Sequence, residues 1–232
     1  MLKIITSGAF AAALEKILPL FAKKKNIIYE LSYGSSFGEA KDSIPSRIKN
    51  NEHFDIYFIA EDAINKHYAE GILDIKTKYN IVSSEIGIAV KVGSKPYDIS
   101  SLKSFKETLV SVKSIGYAAS ASGIYLKNTV FPKIFSDSEP ILKKSKKILS
   151  ERVGSVVFRG DVEIGFQQFS ELLPIKGIKI LGMLPKEIRK PFIFGSAMSK
   201  NSTAGHIYRN LINFIKHDDS IKLITNSGLK LL

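Results

Sequence analysis

The first seventy residues alternate between short apolar runs and longer amphipathic stretches. Leu2 to Ile5 is typical of a short buried strand. Apolar residues then recur at helical spacing from Phe10 to Phe21, which predicts a helix with one buried face. Two more strands are predicted at residues 26–33 and 55–59, each followed by a helical pattern. This order of strand and helix is typical of a parallel sheet covered by helices.

The second and third helices carry their own start signals. Pro45 suits the first turn of a helix within residues 39–50, and Ser43 is a candidate cap. The third helix is predicted to open at Glu61 and to continue through Tyr68. Because loops that follow parallel strands gather at one edge of the sheet, ligand-binding residues are expected there.

The pattern changes after Gly71, where a second lobe is predicted to begin. A long alternating run at residues 84–92 is typical of a strand that crosses into that lobe, and residues 191–198 are predicted to cross back. Between and after them we predict helices at 101–110, 124–131, 150–159 and 203–216, a last helix from Asp218, and strands at 114–117, 162–166 and 178–181. The predicted lobes are residues 1–83 with 192–232, and residues 84–191.

Composition narrows the class of protein. The chain has 232 residues, 44% of them hydrophobic, and no cysteine, so disulfides and thiolate metal sites are excluded. The formal charge is +12, but the lysine runs at 23–25 and 143–147 are not interleaved with aromatic residues. We therefore interpret these runs as solvated helix ends and loops, and we expect no nucleic-acid partner. A positive field would still speed the arrival of a small anion.

The start of the chain leaves two compartments open. No charged and then apolar leader precedes the first strand, and no apolar run is long enough to span a membrane. We expect a periplasmic protein if a leader was removed and a cytoplasmic one if Met1 is the natural start. A monomer is expected in either case.

Several common chemistries have no motif in this chain. There is no phosphate-binding G-x-x-x-x-G-K-[ST] loop and no G-x-G-x-x-G fingerprint. The four histidines are far apart and lack the H-E-x-x-H spacing of a metal site. We therefore predict neither a cofactor nor a metal.

One short motif matches a hydrolase. Residues 34–38 have the letters G-x-S-x-G, with Ser36 at the position of a nucleophile between a strand and a helix. Asp161 and His206 would then supply the acid and the base. Since only two strands precede Ser36, whereas that fold builds more sheet first, we disfavour a hydrolase.

Hydroxyl residues cluster where strands end. Thr6 and Ser7, Ser35 and Ser36, and the run 120–122 each fall at the end of a predicted strand. Backbone N–H groups and the dipole at the start of a helix attract anions, and neutral hydroxyls can bind an anion without a counter-charge. The alternative is that these residues only cap helices and turns, as Ser7 would do before the first helix.

Taken in order, these segments resemble a known family. The stretches TSGAFAAALEKILPLF, YGSSFGEAKDSIPSRI, DIYFIAED, GIAVKVG, SIGYAASASGIYL and RGDVEIGFQQFSELLP are similar to the type 2 periplasmic solute-binding proteins, in the branch related to molybdate-binding proteins of ABC importers. The resemblance implies two α/β lobes, each a mainly parallel sheet flanked by helices, joined by two crossing strands. It also implies a small anion in the cleft between them, and an ABC permease as partner.

The resemblance also implies which residues bind the ligand. They are Thr6, Ser7, Gly8, Ala9, Ser35, Ser36, Ser122, Gly123, Val153, Gln167 and Gln168. Ala9 stands where molybdate binders of the family have a serine, and Gln168 stands where they have a tyrosine. These departures favour a carboxylate as much as an oxyanion. Arg47 is a further candidate, because a guanidinium suits a bidentate carboxylate.

An enzyme remains as an alternative on the same fold. One branch of the family is similar to an aconitate isomerase, which acts on a tricarboxylate. That reaction needs a base beside a carboxylate. Glu39, Asp42 and Glu171 are the candidates, because each lies next to a proposed ligand segment, and the default interpretation of each is an ordinary surface carboxylate.

Overall fold

Strands and helices alternate along the chain, and the computed structural model describes all 232 residues. The first part contains β1 (Leu2–Thr6), α1 (Gly8–Lys25), β2 (Tyr29–Tyr33), α2 (Ile44–Lys49), β3 (Ile56–Ala60), α3 (Glu61–Ala69) and β4 (Leu73–Ser84). The middle part contains β5 (Ile86–Lys91), α4 (Leu102–Ser111), β6 (Ile115–Ala118), α5 (Ala121–Tyr125), α6 (Phe131–Ile134), α7 (Glu139–Lys143), β7 (Ser145–Ile148), α8 (Val153–Arg159), β8 (Ile164–Gln168), α9 (Phe169–Leu172) and β9 (Ile178–Met183). The last part contains β10 (Phe192–Ser199), α10 (Gly205–Ile215), α11 (Asp218–Thr225) and β11 (Lys230–Leu231). A π-helical turn over Leu126–Val130 joins α5 to α6.

The chain folds into two compact units. Unit 1 comprises Met1–Ser84 and Phe192–Leu232, and unit 2 comprises Glu85–Pro191. The chain therefore passes from one unit to the other twice, directly after β4 and directly before β10. No helix combines the length and the apolar character that crossing a membrane requires.

Unit 1 is built on a six-stranded mixed sheet with the order β11-β4-β10-β3-β1-β2. β1 is parallel to both β2 and β3, as helical crossovers require, whereas β10 pairs antiparallel with β3 and β4. β10 arrives from unit 2 without a crossover helix, so nothing requires it to be parallel. Ile4 and Ile5 of β1 are fully buried, and Phe10 of α1 meets Phe58 of β3 edge to face at 5.4 Å.

Unit 2 is built on a five-stranded mixed sheet with the order β7-β6-β8-β5-β9. β6 is parallel to β7 and β8, and β5 is antiparallel to β8 and β9. Gly116 of β6 and Gly165 of β8 lie side by side, and both face Val153 at the start of α8. A Cβ on Gly165 would lie 2.8 Å from Val153 Cγ1, so the glycines let α8 approach the sheet closely.

The structure confirms the predicted start of α2 and contains three strands that the sequence did not predict, β4, β7 and β11. Pro45 lies in the first turn of α2, and the Ser43 side chain accepts a hydrogen bond from the Ser46 N–H at 3.3 Å. The region after Gly71 forms the twelve-residue strand β4, which the sequence did not predict. Part of the 143–147 lysine run forms the edge strand β7 rather than a loop, with Lys146 and Lys147 exposed.

Candidate functional site

The carboxyl ends of three strands of unit 1 meet at one edge of its sheet. The N–H of Ser7, directly after β1, donates to the Phe58 carbonyl of β3 at 2.8 Å. The N–H of Ala60, the last residue of β3, donates to Ser36 Oγ at 3.0 Å. The structure therefore brings together the predicted segments around Thr6 and Ser36. We call Ser7, Ser36 and Ala60 the unit 1 edge.

Ser7 is the group at this edge that points to a ligand. It is 4% exposed and occupies the position before the first residue of α1, yet its side chain makes no capping hydrogen bond. Its Oγ is buried without any partner in the chain. A buried hydroxyl without a partner is costly, and this one lies at the positive end of an eighteen-residue helix. The alternative that Ser7 merely caps the helix with its side chain is therefore not what the structure shows.

The neighbouring predicted residues are used differently. The Thr6 hydroxyl donates to the Ser7 carbonyl at 3.0 Å, and the Ser35 hydroxyl donates to the Phe37 carbonyl at 2.6 Å. Both hydroxyls therefore hold the backbone in place. Gly8 and Ala9 form the first turn of α1, where their contribution to a ligand would come from the backbone.

Arg47 is paired inside unit 1. Its Nε and Nη2 lie 2.8 Å and 2.7 Å from Glu52 Oε2, and its Nη1 donates to the Tyr33 carbonyl at 3.0 Å. The guanidinium also lies over the Phe54 ring, 5.1 Å from its centroid. With its charge compensated and its donors engaged, Arg47 is not presented to a ligand in this structure.

A second hydroxyl pair lies in unit 2, where β6 leads into α5. Ser120 Oγ and Ser122 Oγ are 3.1 Å apart, and Ser122 is fully buried. The backbone is very tight here, because a Cβ on Gly123 would lie 1.8 Å from the Ala118 carbonyl oxygen. The role of Gly123 is therefore to let α5 start directly against the end of β6.

Gln168, at the end of β8, lies on the same face of the sheet as α5. Gly165 faces α8, so by the alternation of a strand Gln167 also faces α8, whereas Gln168 faces the opposite side. α5 lies on that opposite side, since Gly123 packs against the Tyr117 ring. We call Ser120, Ser122 and Gln168 the unit 2 edge.

The Gln168 side chain has no partner in the protein. The residue is 3% exposed, and neither its Nε2 nor its Oε1 makes a hydrogen bond. An amide buried in this way leaves a donor and an acceptor unsatisfied, which costs free energy unless a ligand meets them. Gln168 is therefore the residue of unit 2 that points most directly to a bound molecule.

Gln167 instead joins an internal chain of hydrogen bonds. Its Oε1 accepts from the Val153 N–H at 2.8 Å, and its Nε2 donates to Glu171 Oε2. The Val153 N–H and the Gln167 side chain, both predicted to contact the ligand, are therefore already hydrogen-bonded to each other. What they accomplish in this structure is to fix the start of α8 against the end of β8.

Glu171, whose carboxyl group is buried, is the last residue in this series of hydrogen bonds. Burial raises the pKa of Glu171 to about 7, while the nearby charge of Arg152 and the hydrogen bond from Gln167 act to lower it. The other two candidate bases, Glu39 and Asp42, are exposed. Glu171 is therefore the one of the three whose surroundings suit proton exchange near neutral pH.

A comparison of the whole sequence decides the family. The family profile described as bacterial extracellular solute-binding protein matches residues 2–230. This chain belongs to that family. It is 32% identical over 229 residues to an aconitate isomerase from a Pseudomonas species, which covers 99% of this chain and 87% of the relative.

Solved solute-binding proteins share the fold. The periplasmic molybdate-binding protein of Azotobacter vinelandii matches with a TM-score of 0.76 and 17% identity, covering 100% of both chains. A sulfate-binding protein from Mycobacterium tuberculosis matches with a TM-score of 0.77 and 14% identity, covering 100% of this chain and 86% of that one. The two-lobed α/β fold implied by the sequence resemblance is confirmed, with mixed sheets where mainly parallel ones were expected.

Within this family, the hydrolase arrangement finds no support. Asp161 lies 3.0 Å from Arg159 Nε as part of an ion pair in unit 2. His206 is exposed on α10 of unit 1, and the Ser36 hydroxyl already accepts the Ala60 N–H. Ser36 is thus a link between two strand ends.

The sequence reasoning missed Ala60 of the unit 1 edge and Arg152, whose charge acts on Glu171. Ala60 joins the unit 1 edge through its N–H, and the end of the apolar strand β3 was the signal that could have placed it there. Arg152 acts on Glu171 through its charge. No pattern in the sequence indicated this pairing, because it depends on how α8 meets α9.

Proposed function

We propose that this solute-binding protein binds a small anion through neutral hydroxyl and amide groups. The observation that carries the proposal is the Ser7 hydroxyl, buried without a partner at the positive end of α1. Gln168 supports it independently from unit 2. Neutral donors suit a desolvated anion, because they satisfy its oxygens without a buried counter-charge.

A thermal-shift panel tests for such a ligand. The panel contains molybdate, tungstate, sulfate, phosphate, citrate, cis-aconitate and trans-aconitate. A ligand present at a hundred times its Kd stabilises the protein by about 2.7 kcal/mol, which is a rise of roughly 5–10 °C for a chain of this size. The absence of a shift with every anion would contradict the proposal.

The variant Ser7→Ala separates binding from capping. If the hydroxyl binds the anion, its loss weakens binding by about 1–3 kcal/mol in titration calorimetry. Unfolding stability should be unchanged or higher, because the hydroxyl has no partner in the protein and its burial is a cost to folding. Ser101→Ala is the matched control: the Ser101 side chain accepts from the Ser104 N–H in a capping box, so this variant loses about 1 kcal/mol of stability and keeps its affinity. The reverse pattern at Ser7 would show a cap.

An isomerase is the second candidate function. The aconitate isomerase that is 32% identical over nearly the whole chain favours it, and so does the buried Glu171 carboxyl. A group that holds a proton near neutral pH can remove one beside a carboxylate and return it to another carbon.

Ultraviolet absorbance tests the isomerase directly. Purified protein is mixed with cis-aconitate or trans-aconitate, and interconversion is followed as a change in absorbance. We expect Glu171→Gln to lower the turnover by at least about a hundredfold if Glu171 exchanges the proton. Binding of either acid without any change in absorbance would leave the binding function and exclude the enzyme.

An ABC permease partner and the compartment stay predictions. The family is described as extracellular, which agrees with a periplasmic protein. A pull-down of membrane permeases with the anion-loaded protein, compared with the Ser7→Ala variant, is the measurement that would identify a partner.

A further inference from the structure

We infer that Gln168 makes this protein select an anion that also carries an O–H group, such as a hydroxy acid or a singly protonated oxyanion. The inference rests on the proposed anion binding and names the class of anion, and it stands against the isomerase, because aconitate carries no hydroxyl group. Its basis is that both polar atoms of the Gln168 side chain are buried without a partner.

The chemistry of an amide imposes the requirement. Gln168 Nε2 donates and Oε1 accepts. A flip of the amide exchanges the two atoms but still leaves one donor and one acceptor without a partner. A fully deprotonated anion such as sulfate offers acceptors alone. It could satisfy Nε2, but its oxygens would face Oε1 without a hydrogen between them, which leaves a buried acceptor unpaired.

The surroundings of Gln168 favour O–H over N–H as the ligand's donor. The other side chains that define the unit 2 edge are the hydroxyls of Ser120 and Ser122, which carry no charge. The nearby carboxyl group of Glu171 is held by Gln167, which faces the other side of the sheet. An ammonium ligand would therefore find no counter-charge in the hydroxyls of Ser120 and Ser122, and the +12 charge of the chain would repel it.

The test compares matched ligands that differ in one O–H group. The first pair is citrate and tricarballylate, which is citrate without its hydroxyl; the second is phosphate and sulfate, at about pH 6 where phosphate retains protons. Titration calorimetry on the intact protein should give the O–H member of one pair at least about tenfold tighter binding. The pair that shows the difference identifies the ligand as a hydroxy acid or as a protonated oxyanion.

Two variants then assign the preference to Gln168. Gln168→Met has a similar length but neither donor nor acceptor, so the two members of the pair should bind within about threefold of each other. Gln168→Glu keeps the acceptor and loses the donor, so it should retain the preference for the O–H ligand. Circular dichroism checks that each variant is folded.

The outcomes separate this inference from the proposed function. Binding of anions with equal affinity within both pairs would overturn the inference and leave anion binding intact. If folded Gln168→Met still binds the O–H ligand more tightly, the inference would also be overturned, because another residue would then recognise the O–H group. No binding of any anion in either pair or in the thermal-shift panel would overturn the proposed function itself.

Discussion

Three side chains, Ser7, Gln168 and Glu171, have unusual surroundings and carry the chemistry that we propose for this protein. Ser7 and Gln168 are buried without partners, whereas Glu171 is buried with a partner that does not neutralise it. Each is a cost to folding that a structural role does not offset. Such costs concentrate at functional sites, and removing them often stabilises a protein while impairing its function.

Glu171 therefore predicts a stability that depends on pH. Its pKa is about 7 in the folded protein and close to the ordinary 4.5 when unfolded, so between these values the folded state holds a proton that the unfolded state has released. Stability consequently falls as the pH rises through this window. Glu171→Gln has no charge to bury and keeps an acceptor for Gln167, so it should be more stable than the natural protein at pH 8, by up to about 3 kcal/mol, and equally stable near pH 5.

Urea unfolding at about pH 5 and pH 8 measures this effect. Glu107→Gln, on the exposed face of α4, is the matched control. Its free energy of unfolding should differ between the two pH values by as much as that of the natural protein. If the stability of Glu171→Gln falls with pH as much as that of the natural protein, another group causes the fall, and ionisation of Glu171 does not destabilise the folded state.

At the residue scale, the sequence predicts candidates better than it predicts contacts. Ser7 could be named because it lies where an apolar strand ends and a helix begins, and Gln168 because of the resemblance to the solute-binding family. The sequence could not show that the hydroxyls of Thr6 and Ser35 donate to nearby carbonyls, because hydroxyl residues at strand ends all have the same sequence pattern. The pairing of Arg47 with Glu52 likewise depends on side-chain conformations that periodicity does not encode.

At the element scale, the start of α5 positions the unit 2 edge. Gly123 allows the helix to begin against the end of β6, and a Cβ there would meet a backbone oxygen rather than a flexible side chain. We expect Gly123→Ala to destabilise the protein by about 3 kcal/mol and to displace Ser122, which weakens anion binding as well.

Gly205→Ala is the matched control for this prediction. Gly205 opens α10, and the nearest atom to an added Cβ there is Arg209 Nη1 at 3.9 Å, so the alanine has room. It should be neutral or slightly stabilising. Unfolding followed by circular dichroism compares the two variants, and equal stability would mean that the β6–α5 turn can relax.

Elements with clear periodicity could be predicted from the sequence, whereas strands of mixed or strongly polar composition, such as β4 and β7, could not. The opening β-α-β-α-β-α order and the buried faces of α1 and α8 follow from apolar spacing alone. β4 was missed because its first residues are mixed in polarity and only its end is continuously buried. β7 was missed because an edge strand can carry lysines, which also discourage pairing with another chain.

At the scale of the whole molecule, the groups that we propose for binding are neutral but the protein is strongly basic. Unit 1 has 16 basic and 12 acidic residues, and unit 2 has 18 and 10, so unit 2 contributes +8 of the +12. Ser7, Ser122 and Gln168 carry none of this charge. The positive field should therefore act on an anion during its approach, whereas hydrogen bonds should hold it once bound.

This separation predicts how salt affects binding. Raising NaCl from about 20 mM to about 500 mM should lower the association rate constant of a small anion by about three- to tenfold and leave the dissociation rate constant within about twofold, because salt screens charges that are far from the anion. Stopped-flow or surface-based kinetics measure both constants. Replacing Lys146 and Lys147 by glutamate should mimic high salt, and replacing both by arginine, which keeps the charge, should change neither constant.

A salt effect on dissociation would instead place a charged group against the anion. Arg47 is the candidate, since the sequence predicts it as a carboxylate contact although it is paired with Glu52 in this structure. Arg47→Gln would then abolish the salt dependence of dissociation. If dissociation is independent of salt in both proteins, the anion is held by neutral groups, as the unpartnered atoms of Ser7 and Gln168 lead us to expect.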